Sequence, residues 1–305
     1  MLDKFLDEIP TGKMYEDLLQ PSFKNVGEAL GTLFSMGNLM LLPLKFHEQK
    51  ARAKFDANLK RYAKKLEASL AEEICEVPPY VGLPILDKLT YLDQHELSEA
   101  FINLLTKAST KATLNLAHPS FINTLNNLCA DEAKILFQYK HKESIPRIDL
   151  YIKKQYSAGQ GAVLPFNPEV TLLAGEQHLT PAQEVHTKVA WNLTGVEVFV
   201  ELDFPENIDV YIENLEKLGI IALETEVLLK KDLETFKHLE HEIYYANILK
   251  SQQWVEALNQ KHQDVLYCLY NKKGYYYFTE YGKMFMKACI KELNEAGEKA
   301  NATPG

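Results

Sequence analysis

The chain has 305 residues, a net charge of −9, a 46% hydrophobic share and a 25% charged share. That supports one large domain or two ordinary ones with a real core, and excludes a chain disordered throughout. The acidic balance argues against non-specific DNA binding, because phosphate repels it at long range; only local basic patches are left for anions.

Met1–Ile9 alternates charged and apolar residues, so no secretory leader is expected. Residues 14–20 predict a short helix that stops at Pro21. From Phe23 to Leu42 the apolar spacing is helical, interrupted by Gly27, Gly31 and Gly37. Each such glycine weakens a helix interior by about 1 kcal/mol relative to Ala. Pro43 then breaks the run, and the apolar stretch Leu33–Phe46 is shorter than the ~20 residues a bilayer span needs.

Over Leu44–Leu70, Ala51, Phe55, Leu59, Tyr62 and Leu66 form one stripe of a long helix whose other faces are mostly basic. Val77-Pro-Pro79 breaks it. Two helices follow over Leu83–Tyr91 and Glu96–Ser109, with Asp93 the expected cap between them. Further helices are predicted to open at His118-Pro-Ser-Phe121 and at Asp131, where Asp131 and Glu132 favour the helix dipole.

The pattern changes near Ile145. Ile148–Ile152 and Val196–Leu202 alternate and predict strands, and Thr180–Gln183 carries a capping-box start. A helix over Asn207–Leu218 should end at Gly219, followed by a short strand from Ile220. Leu233–Lys261 predicts helix, and Tyr267–Phe278 a β-hairpin with Asn271-Lys-Lys-Gly274 at its tip. Thr279 caps a last helix. The expected fold is mainly α with a smaller α+β part. A helical region over 1–117 holds the basic amphipathic helix, a winged-helix-like α+β region with insertions covers 118–298, and 299–305 is a disordered tail.

Tyr15–Pro21, Leu42-Pro-Leu-Lys45, Val77-Pro-Pro79, Phe101–Leu105, His118–Phe121, Asp131-Glu-Ala133, Asn214–Gly219 and Phe278–Gly282 occur in order along the chain. Together they resemble the bacterial Abi-alpha (abortive infection alpha) family, over about residues 14–292. The resemblance implies a role in defence against phage and brings no catalytic residues with it.

The basic helix is the leading candidate contact. Lys45, Lys50, Arg52, Lys54, Lys60, Arg61, Lys64 and Lys65 face only Glu48 and Asp56, and Leu39, Leu41 and Leu42 precede them. An apolar segment beside basic charge suits an anionic membrane surface; the plain alternative is a solvated helix face. Gly27-Glu-Ala-Leu-Gly31 permits close helix packing or self-association. Lys272 and Lys273 at a hairpin tip would touch a nucleic-acid backbone, although the acidic helix over Asn207–Gly219 disfavours that partner.

His238 and His241 share a helix face without a third ligand, and His118 with Ser120 reads as a helix start. Cys75, Cys129, Cys268 and Cys289 lack pairing spacings and predict free, buried thiols. No phosphate loop, dinucleotide fingerprint or nucleophile elbow is found in the sequence, so no cofactor, metal or catalytic residue is assigned. The expectation is a non-enzymatic cytoplasmic protein, with a peripheral place at the inner membrane, whose partner is a phage-derived trigger or itself. A nucleic-acid or protein-binding module and an unrecognised hydrolase are the alternatives.

Overall fold

The computed structural model describes residues 24–35, 49–67, 69, 71–156, 185–224, 236, 245–261 and 265–292. These are mainly helical with a smaller sheet. They fall into two compact units, each discontinuous in sequence. A helical unit lies within Met1–His141, Leu202–Ile221 and Phe278–Gly305, and a sheet unit within Lys142–Glu201 and Ala222–Tyr277.

The helical unit begins with α1 (Lys24–Ser35), which buries Val26, Ala29, Leu30 and Leu33 at the spacing of one helix face. In α2 (Gln49–Glu67), Phe55, Leu59, Tyr62 and Leu66 of the predicted stripe are buried. α3 (Pro79–Leu89) opens on Pro79, where a missing N–H costs nothing. α1 and α3 pack closely here: a Cβ on Gly82 would run into Leu33 Cδ1 and come within 2.9 Å of Val77 Cγ1. α4 (His95–Ala108) is buried at every position from Ala100 to Ala108, and so forms the centre of this core. Its cap is Gln94, not the expected Asp93, which instead pairs with Lys54. α5 (Ser120–Asn126) and α6 (Ala130–Gln138) follow where the sequence predicts them.

The chain then enters the sheet unit with β1 (Ser144–Tyr156) and β2 (Val185–Leu193). The strand expected over Val196–Leu202 is instead one helical turn, α7 (Val196–Phe199), set off by Gly195 at φ +69°. The chain returns to the helical unit as α8 (Ile208–Lys217), closed at Gly219 with φ +72°, as its sequence predicts. β3 (Ile221–Glu224), α9 (Tyr245–Lys261) and β4 (Val265–Phe278) complete the sheet unit, in strand order β2-β1-β4-β3.

The hairpin expected over Tyr267–Phe278 is therefore one continuous strand. β4 runs antiparallel to β1 from Tyr156↔Val265 to Ser144↔Tyr277. The pairing passes through Asn271-Lys-Lys-Gly274 without a break in register, and Gly274 stays out of the left-handed region. A long partner strand stands opposite every residue of the supposed loop, which removes the reason to turn. On one face Ile148 and Leu150 pack with Phe236, and Ile152 and Leu269 pack with Val255, which lies in α9. Finally α10 (Glu280–Phe285), capped by Thr279 Oγ1 as expected, runs on as a π turn over Met286–Ile290.

Candidate functional site

The basic residues of α2 separate by face. Arg61 bonds Ser98 Oγ at 2.8 Å and pairs with Glu99, and Lys65 reaches Glu99 at 2.5 Å and Glu292 at 3.4 Å. Lys54 pairs with Asp93. Burial pushes the Glu99 carboxyl up, but the bonds and charges of Lys65 and Arg61 outweigh it and hold it below the usual value. These cations therefore tie α2 to α4 and its approach. Lys50, Lys60 and Lys64 are exposed and ion-paired to none of the described residues. At 3.6 residues per turn they share an arc of about 80°. Arg52 lies on α2 with them, while Leu39, Leu41, Leu42 and Lys45 lie outside the described residues.

The other sequence candidates move. Close packing is not what Gly31 serves, since a Cβ there meets nothing within 4 Å; Gly27 and Gly31 flank the buried face of α1 rather than lie on it. Lys272 and Lys273 are neighbours in β4 and point to opposite faces. Lys272 is exposed and stands opposite Asp149, while Lys273 lies 5.4 Å from the ring centroid of Phe236 on the covered side. His238 and His241 lie outside the described residues. His118 Nδ1 meets Ser120 Oγ at 2.7 Å and accepts the Ser120 N–H at 3.2 Å, so it serves the start of α5.

A second cluster was not anticipated. Asp131, buried in α6, accepts the Asp203 and Phe204 N–H groups at 2.8 and 2.9 Å, the Tyr211 hydroxyl at 2.9 Å and Lys134 at 3.2 Å. Burial acts to raise its pKa; the two backbone donors, the phenol and the amine reverse the sign and hold it below the usual value. Glu132 beside it is pushed up by burial, despite accepting Cys129 N–H at 2.7 Å and Asn214 Nδ2 at 2.8 Å. Cys129 completes this capping box by accepting the Glu132 N–H. It is exposed, against expectation, yet partial burial of its thiol raises the pKa to about 11. It stays protonated at neutral pH and is a poor nucleophile. A shallow groove of about 440 Å³ lies here, lined by Cys129, Glu132, Val210 and Asn214 among others. The sequence signal was the adjacent acid pair: one carboxylate serves the cap, which leaves the other without a local task.

These contacts join stretches far apart in sequence. Asn214 ties Asn214–Gly219 to Asp131-Glu-Ala133. Thr279 Oγ1 donates to Gly219 O at 2.5 Å, and the Ile220 carbonyl lies where a Cβ of Gly282 would be. Tyr281 bonds Thr124 at 2.6 Å and stacks edge-on with Phe121. Asn103 Nδ2 donates to the Cys289 carbonyl at 2.9 Å, which the π turn leaves open. Among the described residues no group of His, Cys, Asp and Glu is arranged to hold a metal, and no helix is long and apolar enough to cross a membrane.

The family model described as abortive infection alpha matches residues 54–289. Comparison with curated proteins gave no match, and neither did comparison with solved structures.

Proposed function

Since the chain belongs to the abortive infection alpha family, we propose that it serves phage defence as a non-enzymatic effector, docking through the exposed lysines of α2 on an anionic membrane surface. One observation carries this reading. α2 commits Lys54, Arg61 and Lys65 to partners within the fold and leaves Lys50, Lys60 and Lys64 in solvent on one arc. Each lysine near an anionic leaflet contributes about 1 kcal/mol, so together they favour binding by roughly a hundredfold. Phe55 and Tyr62 of this helix are buried, which leaves the arc without the aromatic platform that single-stranded nucleic acid requires. The protein is then peripheral at the inner membrane, and a phage-derived trigger governs its exposure or self-assembly.

The test is co-sedimentation with vesicles of phosphatidylglycerol and phosphatidylcholine. The wild type should bind the anionic vesicles with marked salt dependence, and Lys50→Glu, Lys60→Glu, Lys64→Glu combined should abolish it. Equal binding by wild type and triple variant, or none by either with infected-cell extract present, sinks the proposal.

A further inference from the structure

The sheet unit has a face that the reading above does not use. β1 alternates strictly: Ile148, Leu150 and Ile152 are buried with Leu269 beneath Phe236 and Val255, so Arg147, Asp149, Tyr151 and Lys153 point the other way. Register brings Tyr270 opposite Tyr151 and Lys272 opposite Asp149 on that second face. From β2, Lys188 stands opposite Tyr151 and lies 5.5 Å from the centroid of the Trp191 ring.

Two features set this face apart from an ordinary solvated one. First, its aromatic rings are open: Trp191 is 53% and Tyr270 41% exposed, and the Tyr151 and Tyr270 rings lie 6.4 Å apart. Large rings exposed together on one sheet face mark a surface suited to a partner. Second, its charge opposes that of the chain. Arg147, Lys153, Lys188 and Lys272 share this face with the carboxylate Asp149, in a protein of net charge −9. Asp149 is moreover buried and engaged by Arg147 at 2.5 Å and by the Asn192 N–H at 2.8 Å, so it offers little repulsion to an anion.

Exposed rings flanked by lysines on one sheet face fit one chemistry. Bases stack on the rings while phosphates stay near the amines. A duplex hides its base faces and cannot use the rings, and an acidic peptide would use the lysines but leave the rings idle. We infer that the open face of the β2-β1-β4 sheet binds a single-stranded nucleic acid, with bases on Tyr151, Tyr270 and Trp191 and backbone phosphates near Lys188 and Lys272. This rests on the sheet unit alone and stands or falls independently of vesicle binding by α2.

The chain's two tryptophans make the test direct. In full-length Trp254→Phe protein, Trp191 is the only tryptophan. Titration with oligothymidylate and with oligouridylate should quench its fluorescence, and the stronger of the two tells DNA from RNA. Tyr270→Ala should weaken binding roughly tenfold and Tyr270→Phe restore it. Lys272→Gln, an exposed change that leaves the fold intact, should lower the slope of log affinity against log salt by roughly 0.7. Three results overturn the inference: no quenching or anisotropy change with either strand, equal affinity for a duplex, or equal affinity for polyglutamate. The last would make the face a dock for an acidic protein.

Discussion

The helical unit draws its decisive charges inward, whereas the sheet unit sorts them by face. In the first, Asp131 and Glu132 are buried and bonded, and Arg61 and Lys65 close on Glu99. In the second, alternation sends Ile148, Leu150 and Ile152 to a covered side and Arg147, Tyr151 and Lys153 to the other. A helix-packed core makes long-range ties through single atoms, so it depends on exact fits. A sheet spreads its cohesion along a ladder, so one of its faces can carry charged and aromatic side chains in solvent. Both tryptophans lie in the sheet unit, so tryptophan fluorescence follows that unit while far-UV circular dichroism is dominated by helix.

The largest expected effect is Gly282→Ala. Its Cβ would collide with the Ile220 carbonyl, a backbone group that cannot swing aside. A loss of about 3 kcal/mol or more is expected in urea unfolding by circular dichroism, with a smaller shift by fluorescence. Coincident shifts of equal size would show that the units do not differ in this way. Asp131→Asn comes next, at about 2–3 kcal/mol, because charged acceptance from two backbone donors is lost.

That variant also has a pH signature. The folded Asp131 pKa is depressed, so its contribution is complete above the unfolded value of about 3.9 and is lost as pH falls through the folded value. Asn at this position should flatten the acid limb of the stability curve, and an unchanged limb would contradict the assignment.

Asn192→Ala probes the sheet unit. Asn192 sits at φ 59° and accepts the Tyr276 hydroxyl at 2.8 Å, so about 1–2 kcal/mol should go, seen chiefly by fluorescence. Gly31→Ala should instead stabilise the protein by about 0.5–1 kcal/mol, since the added methyl meets no neighbour and the helix gains propensity; a measured loss would mean a neighbour occupies that side of α1. Asp93→Ala, at an exposed pair, should change the melting curve by less than about 0.5 kcal/mol.

The helices were legible because their evidence is local. The α2 stripe, the glycine that closes α8 and the Thr279 cap each lie within a few residues of what they determine. The strands misled where local evidence pointed the wrong way. Asn271-Lys-Lys-Gly274 has turn composition, but the partner that keeps it straight lies more than a hundred residues earlier, in β1. Val196–Val200 alternates like a strand, yet Gly195 in the left-handed region starts a helical turn. The basic helix was readable as a candidate, but not its division into paired and unpaired lysines, which depends on Asp93 and Glu99 arriving from elsewhere. The Asp131 cluster was hidden for the same reason, since its donors lie 72 to 80 positions away.

The bond from Asn103 to the Cys289 carbonyl also sets a schedule. Its ends are 186 residues apart, and α4 lies at the centre of the helical core. At about 5–20 residues per second, a ribosome takes roughly 10–40 s to travel from one to the other. Throughout that interval the nascent chain carries a finished central helix whose last neighbours do not yet exist. The sheet unit ends at Tyr277, before the π turn is made, so it can close earlier. Synthesis therefore completes the second unit before the first, and the helical unit is the one that needs shelter from aggregation while the ribosome finishes.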